Sequence, residues 1–493
     1  MFLQISKKTI YAVRKSLIFS AICAIGAFLT RLCKNSAIVT RFLSQSGRTA
    51  FSSSVLTRGV NGAGSLAAPV FKSSAVLRLI FGSIALQPWV LVCAVLFLAP
   101  LIPTMVLLAA AAVTTAVTLA HGIYFGEGYR PTAVDKWLLF VMLAYFSGVM
   151  VSSDRQASLF PALLYAAFCF FAFTVKAAIN SKAHARAAVF ALVLSATAVS
   201  LHGLAQRYFG WFLPTVGTGA WLDKDMFEGV YLRVYATLEN PNVLAEYLDL
   251  IIPFTFAIAV TEKSKLIKLV SLGCLAAQLM ALLYSYSRGG WIATIAAIAV
   301  FLIALDRRFV VLLVLGGIGG LALMPAQYIN RLMSVGNITD RSTLYRLYIW
   351  LGTIDMVKDG HWQIGIGVGE TAFASVYRLY DYGGIVTPHS HNLFLQFITE
   401  SGVLGLVSIL GAFFSGIRQG MRAFLSGGRT RLYSLAAACG ILGFFVQSMT
   451  DFGFYNYRVT FVFWCVLGLA AAMGSAHAAD GEKPDPREKV SAI

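Results

Sequence analysis

Met280-Ala281-Leu282-Leu283-Tyr284-Ser285-Tyr286-Ser287-Arg288-Gly289-Gly290-Trp291-Ile292-Ala293-Thr294 joins two apolar runs, 265–284 and 287–304, through a short polar connection. Each run is close to the roughly 20 residues an α-helix needs to cross a hydrocarbon core, so the stretch reads as two membrane helices with a tight turn between them. An arginine at the mouth of such a helix is costly to strip of water unless an anion partners it. Its forked guanidinium suits a phosphate. Gly289 and Gly290 would let the backbone approach a ligand, and the helix N-terminus adds positive potential. A snorkelling arginine on a flexible turn is the competing reading.

The same pattern recurs in both directions. Further spans are predicted at about 87–101, 102–121, 135–152, 158–177, 185–203 and 242–260 before this pair, and at about 307–323, 391–416, 430–449 and 457–474 after it. The first pair is hinged at Pro100 and Pro103. The chain of 493 residues is 58% hydrophobic and 12% charged, with a mean hydropathy of +0.74. Together these features describe an all-α polytopic membrane protein of about twelve transmembrane helices and exclude a soluble enzyme. The net charge of +17 does not point to nucleic acid, because the basic residues sit in short loops between apolar segments. Cys93, Cys169, Cys274, Cys439 and Cys465 lie within apolar runs without metal-ligand spacing, so neither disulfides nor zinc are indicated.

Three regions follow: a basic arm over 1–84, a transmembrane domain over 85–475 and a polar tail over 476–493. The arm carries no acidic residue, and its segment Leu17 to Thr30 reads as an amphipathic stretch on anionic lipid in preference to a signal peptide. Arg130 and Lys136, then Lys176, Lys182 and Arg186, then Lys263, Lys265 and Lys268, then Arg307 and Arg308, then Arg418, Arg422, Arg429 and Arg431 mark alternate loops as cytoplasmic. Both termini fall on that side. The opposite, extracytoplasmic set comprises 205–241, 286–290, a long loop over 324–390 and the turn 450–458. Arg233, Arg288, His389, His391 and Asp451 thus share one face.

At the end of the long loop, Thr387-Pro388-His389-Ser390-His391-Asn392 places two imidazoles before a helix. A neutral histidine can take a proton from a hydroxyl, whereas a plain helix-capping role is the alternative. In Asn240-Pro241-Asn242, the first asparagine caps a helix with proline in its first turn, and Glu246 lies one turn inside, able to pair with an arginine or merely to favour the helix dipole. Leu344, Leu347, Trp350 and Leu351 predict an amphipathic helix over 339–357, from which Arg346 could reach a lipid-borne phosphate or headgroups. Gly365-Ile366-Gly367-Val368-Gly369 lacks the strand-turn-helix setting of a nucleotide site and reads as a backbone bend. Asp223 and Asp225 could mimic a divalent-cation pair, although a solvated acidic turn is the simpler reading.

Asn240-Pro241-Asn242 with Ala245, Ser287-Arg288-Gly289-Gly290-Trp291, Arg346 with Trp350, the 365–369 glycine run, and His389-Ser390-His391-Asn392 with Gly402 and Gly405 come in an order that resembles O-antigen ligases and related bacterial polysaccharide polymerases. Trp362 after His361 departs from the pattern, where the family often has a proline. The resemblance implies a GT-C-like fold in a bacterial inner membrane. It also implies a metal-independent, inverting glycosyltransferase with no cofactor, which moves a glycan from undecaprenyl diphosphate to an acceptor hydroxyl. Under that scheme His391 is the base and His389 orients it or substitutes for it. Arg233, Arg288 and Arg346, with Asn240, Asn242 and Glu246, form the substrate site. Membrane lipids, the lipid-linked donor, a glycan or lipid acceptor and a flippase or chain-length regulator are the expected partners. The alternative class is a transporter or channel for an anionic solute, disfavoured because the polar groups cluster at one surface and no internal repeat is evident.

Overall fold

The computed structural model describes residues 55–211, 213, 232–334, 340–428 and 430–479. Leu17 to Thr30, Asp223, Asp225, Arg429 and the tail beyond 479 therefore lie outside the described residues. Every regular element among the described residues is helical. The chain runs through α1 (Val55–Ser73), α2 (Ala75–Gly82), α3 (Pro88–Leu98), α4 (Thr104–Phe125), α5 (Asp135–Val151), α6 (Arg155–Ala178), α7 (Lys182–Phe209), α8 (Pro241–Thr261) and α9 (Lys265–Tyr284). It continues through α10 (Arg288–Leu305), α11 (Phe309–Leu323), α12 (Ala326–Met333), α13 (Arg341–Met356), α14 (Glu370–Tyr377), α15 (Leu393–Leu425), α16 (Arg431–Ser448) and α17 (Tyr457–Ala479).

Each apolar run read from the sequence holds a helix. Among the described residues nine are long and apolar enough to cross a membrane: α4, α6, α7, α8, α9, α10, α15, α16 and α17. The others are shorter, with 11 residues in α3, 17 in α5 and 15 in α11. At about 1.5 Å per residue α3 extends roughly 16 Å, about half of a hydrocarbon core. It is cut short where the chain turns through Pro100 and Pro103. The centre is built from α8 and α17, whose apolar windows are 83% and 89% buried. Trp464 packs edge to face on Phe454 and Phe463 there, and Phe444 tilts against Phe463.

Polar contacts gather loop residues into two clusters. Arg186 Nε donates to Glu262 Oε1 at 2.8 Å and the Tyr433 hydroxyl reaches the same oxygen at 3.1 Å, which ties three basic loops together at one end. At the other end Arg233, Ser285, Arg288, Ser334, Arg346, His391 and Asp451 are linked by hydrogen bonds and ion pairs.

The long loop is itself mostly helical. Its main helix, α13, falls within the predicted 339–357 segment, but the buried residues are Ile349, Gly352, Thr353 and Met356, while Leu347 and Leu351 are exposed. In a membrane protein an apolar stripe need not face protein, because lipid is an equally apolar neighbour. The glycine run forms a bent strap across a break in α15, where Ser401 and Gly402 leave helical geometry. There the strap replaces the lost intrahelical bonds: Ile366 N donates to Thr399 O at 2.8 Å, Gly367 N to Glu400 O at 3.2 Å, and Val403 N to Trp362 O at 2.7 Å. Gly365, Gly367 and Gly402 all have positive φ, and a Cβ on any of them would strike the facing chain.

Candidate active site

Three helix starts meet at one end of the bundle. Asn240 caps α8 by accepting from Asn242 N at 2.8 Å, Ser287 caps α10 by accepting from Gly290 N, and Asn392 caps α15 by accepting from Phe394 N and Leu395 N at 2.9 and 3.0 Å. The residue before each cap is left-handed without being glycine: Glu239 (φ 66°), Tyr286 (φ 51°) and His391 (φ 50°). Such backbone costs on the order of 1 kcal/mol per residue and persists only where neighbours hold it. The turn between α16 and α17 supplies much of that hold. Gln447 Nε2 donates to Asn242 O, Asn392 Nδ2 donates to Met449 O, and Leu393 N donates to Asp451 O at 3.1 Å.

Gly289 and Gly290 have another purpose than the one read from the sequence. A Cβ on Gly290 would meet Ala245 and Gln447 at 2.6 and 3.0 Å, and one on Gly289 would meet Thr450 at 3.0 Å. The glycines admit α8 and α16, not a ligand, because three helices converge within one turn of their ends.

Asp451 is the hinge of the chemistry. Its Oδ1 lies 3.2 Å from His391 Nδ1 and also accepts from Phe452 N at 2.9 Å, while its Oδ2 accepts from Arg346 Nη2 at 3.3 Å. Burial alone would raise this carboxyl, but the His391 hydrogen bond and the Arg346 guanidinium overcome it and hold Asp451 well below the usual carboxylate range. A permanent carboxylate on Nδ1 leaves Nε2 as the nitrogen of His391 that can take a proton. Tyr345 stands edge-on to the His391 ring at 5.7 Å, and Trp350 Nε1 donates to the His391 carbonyl at 3.3 Å.

His389 occupies a different environment. It is buried, stacks on Tyr455 at 4.8 Å, and accepts from His391 N through Nδ1 at 3.4 Å. Burial, reinforced by the neighbouring His391, pushes its pKa down to about 3, so its ring is neutral. It braces the left-handed backbone of His391.

The arginines gather beside this pair. Arg288 Nη1 pairs with Asp340 Oδ2 at 2.5 Å and donates to the carbonyl and hydroxyl of Ser334, while its Nη2 reaches Thr343 Oγ1 at 3.3 Å. Arg331, on α12, lies 3.6 Å from the same Asp340 oxygen. Arg233 donates to Ser285 O and to Asn242 Oδ1, each at 2.8 Å. Its pKa is pushed down to about 9, first by burial and then by the guanidinium groups of Arg331, Arg346 and Arg288, with Asp451 opposing. Among the described residues the four arginines face two paired carboxylates, Asp340 and Asp451. The surplus is positive.

Arg233, Asn242, Arg288, Arg346, His389 and His391 therefore converge. Asn240 stands apart as a cap, its side-chain oxygen spent on Asn242 N. Glu246 is fully buried against Gly453 and pairs with no arginine among the described residues, so of its two readings the arginine pairing is not met. The sequence reading assigned no role to Asp451, Asp340, Arg331 or Tyr455. The only signal was that Asp451 lies in a loop of the same face.

Residues 273–410 match the family model described as O-Antigen ligase. The matched stretch runs from within α9 into α15 and contains Arg288, Arg331, Asp340, Arg346, His389 and His391, whereas Arg233, Asn242 and Asp451 come from outside it. No curated protein matches the chain. Over residues 273–410 the chain is similar to the O-antigen ligase family, and this match within a membrane-spanning helical frame supports an enzyme that transfers glycan at a membrane surface.

Proposed function

We propose that the chain moves a glycan from an undecaprenyl-diphosphate-linked donor to an acceptor hydroxyl on the extracytoplasmic face of a bacterial inner membrane, without metal or cofactor. About twelve helices cross the bilayer in a GT-C-like arrangement, with the arm 1–84 and the tail 476–493 on the cytoplasmic side. Arg288, Arg233 and Arg346 hold the diphosphate, and Asn242 sets the Arg233 fork. His391 Nε2 takes the acceptor proton while the freed oxygen attacks the anomeric carbon. The bond from that carbon to the diphosphate oxygen breaks with its electron pair, and undecaprenyl diphosphate leaves. A single displacement of this kind inverts the anomeric centre. His389 is a positioning residue for His391.

The observation that carries this reading is the join between base and clamp. One oxygen of Asp451 touches His391 and the other touches Arg346, so proton acceptance and charge on the leaving group are coupled through one carboxylate. The test uses purified protein with a fluorescent undecaprenyl-diphosphate oligosaccharide, with and without chelator, beside His391→Ala. The expected result is chelator-resistant transfer that the variant loses while still retaining donor. Transfer that stops on chelation would return the Asp223 and Asp225 loop to consideration, and normal transfer by the variant would remove His391 as the base. Product size separates polymerisation from a single ligation.

A further inference from the structure

Beside His391 lies a second surface. Tyr345 and Arg346 are consecutive on α13, so their side chains leave the helix about 100° apart. Arg346 goes to Asp451, while the Tyr345 ring meets the edge of His391. Tyr348 lies one turn further along the same face. Against it rests the strap 380–384, where a Cβ on Gly383 would touch the Tyr348 ring at 3.6 Å. The strap is pinned at two phenols: Tyr382 donates to Asp355 Oδ2 at 2.6 Å and Tyr380 to Asp359 Oδ2 at 2.9 Å. Tyr345 and Tyr382 stay exposed, at 38% and 41%.

The exposed rings of Tyr345 and Tyr382, the latter anchored at its tip, together with a rim of carboxylates and phenols have a definite chemical complement. Asp355 and Asp359 disfavour an anion, and Lys358 offsets only Asp355, at 3.2 Å. The polar rim disfavours an acyl chain. A pyranose fits both demands, since its C–H face lies on an aromatic ring and its hydroxyls bond to the rim. From Tyr345 to Asp355 the helix runs about 15 Å, longer than a single sugar ring.

We propose that Tyr345, Tyr348 and the strap 380–384 form a saccharide track that delivers the acceptor to His391, so that the acceptor is the end of an oligosaccharide. The proposal rests on the transfer reading above. It assigns the two surfaces beside His391: diphosphate among the arginines, acceptor sugars along the tyrosines.

The test is retention of the full-length protein, in detergent, on an array of bacterial surface oligosaccharides graded by length. Wild type retains at least one glycan, more strongly as the chain lengthens. Tyr345→Ala with Tyr348→Ala weakens retention about tenfold, the scale of lost aromatic stacking. Tyr345→Phe, which keeps the ring, retains glycan as wild type does. If the double variant fails to melt cooperatively, Tyr345→Ala alone serves, since that side chain is exposed. Unchanged retention by the alanine variants would make the rings headgroup-level anchors and overturn the track. So would a wild type that retains nothing longer than a monosaccharide. Retention of undecaprenyl diphosphate is measured alongside. Lipid bound without glycan sinks the track and leaves the transfer reading standing. Glycan bound at the tyrosines without lipid sinks the transfer reading and leaves the track.

Discussion

Asp451→Asn isolates the carboxylate on which the proposed base depends. In the wild type Asp451 accepts from Arg346 and from His391 Nδ1–H. With its carbonyl turned toward the Arg346 donors, an asparagine faces its amide N–H to Nδ1 and gives up the bond from Phe452 N. That nitrogen must then accept, so the imidazole proton moves to Nε2 and the base nitrogen is blocked. A carboxylate 3.2 Å from an imidazolium is worth about 5 kcal/mol at an effective dielectric near 20. A comparable tautomer error in a catalytic triad costs about 10⁴ in rate, or roughly 5.5 kcal/mol. The two estimates agree, and single-turnover transfer should fall by three to four decades on the order-of-magnitude scale they set. The assay follows product from a fluorescent lipid-linked donor at saturating protein, with donor retention and melting temperature as controls. Because Asp451 is held below the usual carboxylate range, its contribution to stability is present above a pH of about 3.9, the unfolded value, and is lost only as pH falls through the lower folded value. A loss under about tenfold in a cooperatively melting variant would refute the tautomer argument.

His389 gives a stability prediction of the same pH sense in a higher pH window. Its folded pKa of about 3 lies below the unfolded value of 6.5, so the unfolded chain binds the proton first and the protein loses stability as pH falls below about 6.5. Between pH 7 and 5 wild type should lose about 2 kcal/mol from this group, and His389→Phe should lose that dependence; parallel melting curves at both pH values would show that His389 is charged in the native state. Gly402→Ala places a Cβ against the Gln363 carbonyl at φ 65° and should destabilise by about 2 kcal/mol or more, read as a lowered melting temperature, with no change excluding the strap's role at the break.

The helices were legible because apolar runs of membrane length have few other uses, and the starts of α8 and α15 were legible from Asn240 and Asn392 as caps. Sorting loops by charge also brought Arg233, Arg288, His391 and Asp451 to one face. What stayed hidden was pairing. Asp451 lies 60 positions from His391 and 105 from Arg346, and no local pattern encodes such a contact. Asp340 was equally silent beside Arg288. The left-handed backbone at Glu239, Tyr286 and His391 could not be read either, because none is glycine and the strain is imposed by tertiary contacts. Gly290 was misjudged for a related reason: a glycine at a helix start looks the same whether a phosphate or another helix comes close.

The break in α15 has a consequence for how the enzyme sits in bilayers of different thickness. Long helices answer a mismatch with the surrounding lipid by tilting. Residues 403–425 can do so as a rod, but the segment 393–400 is clasped by the strap and capped against the α16–α17 turn. The strap works as a strain relief. Tilt accumulated along the rod is absorbed at Ser401 and Gly402 before it reaches His391, so the reacting end keeps its register with Asp451 while the anchor adapts.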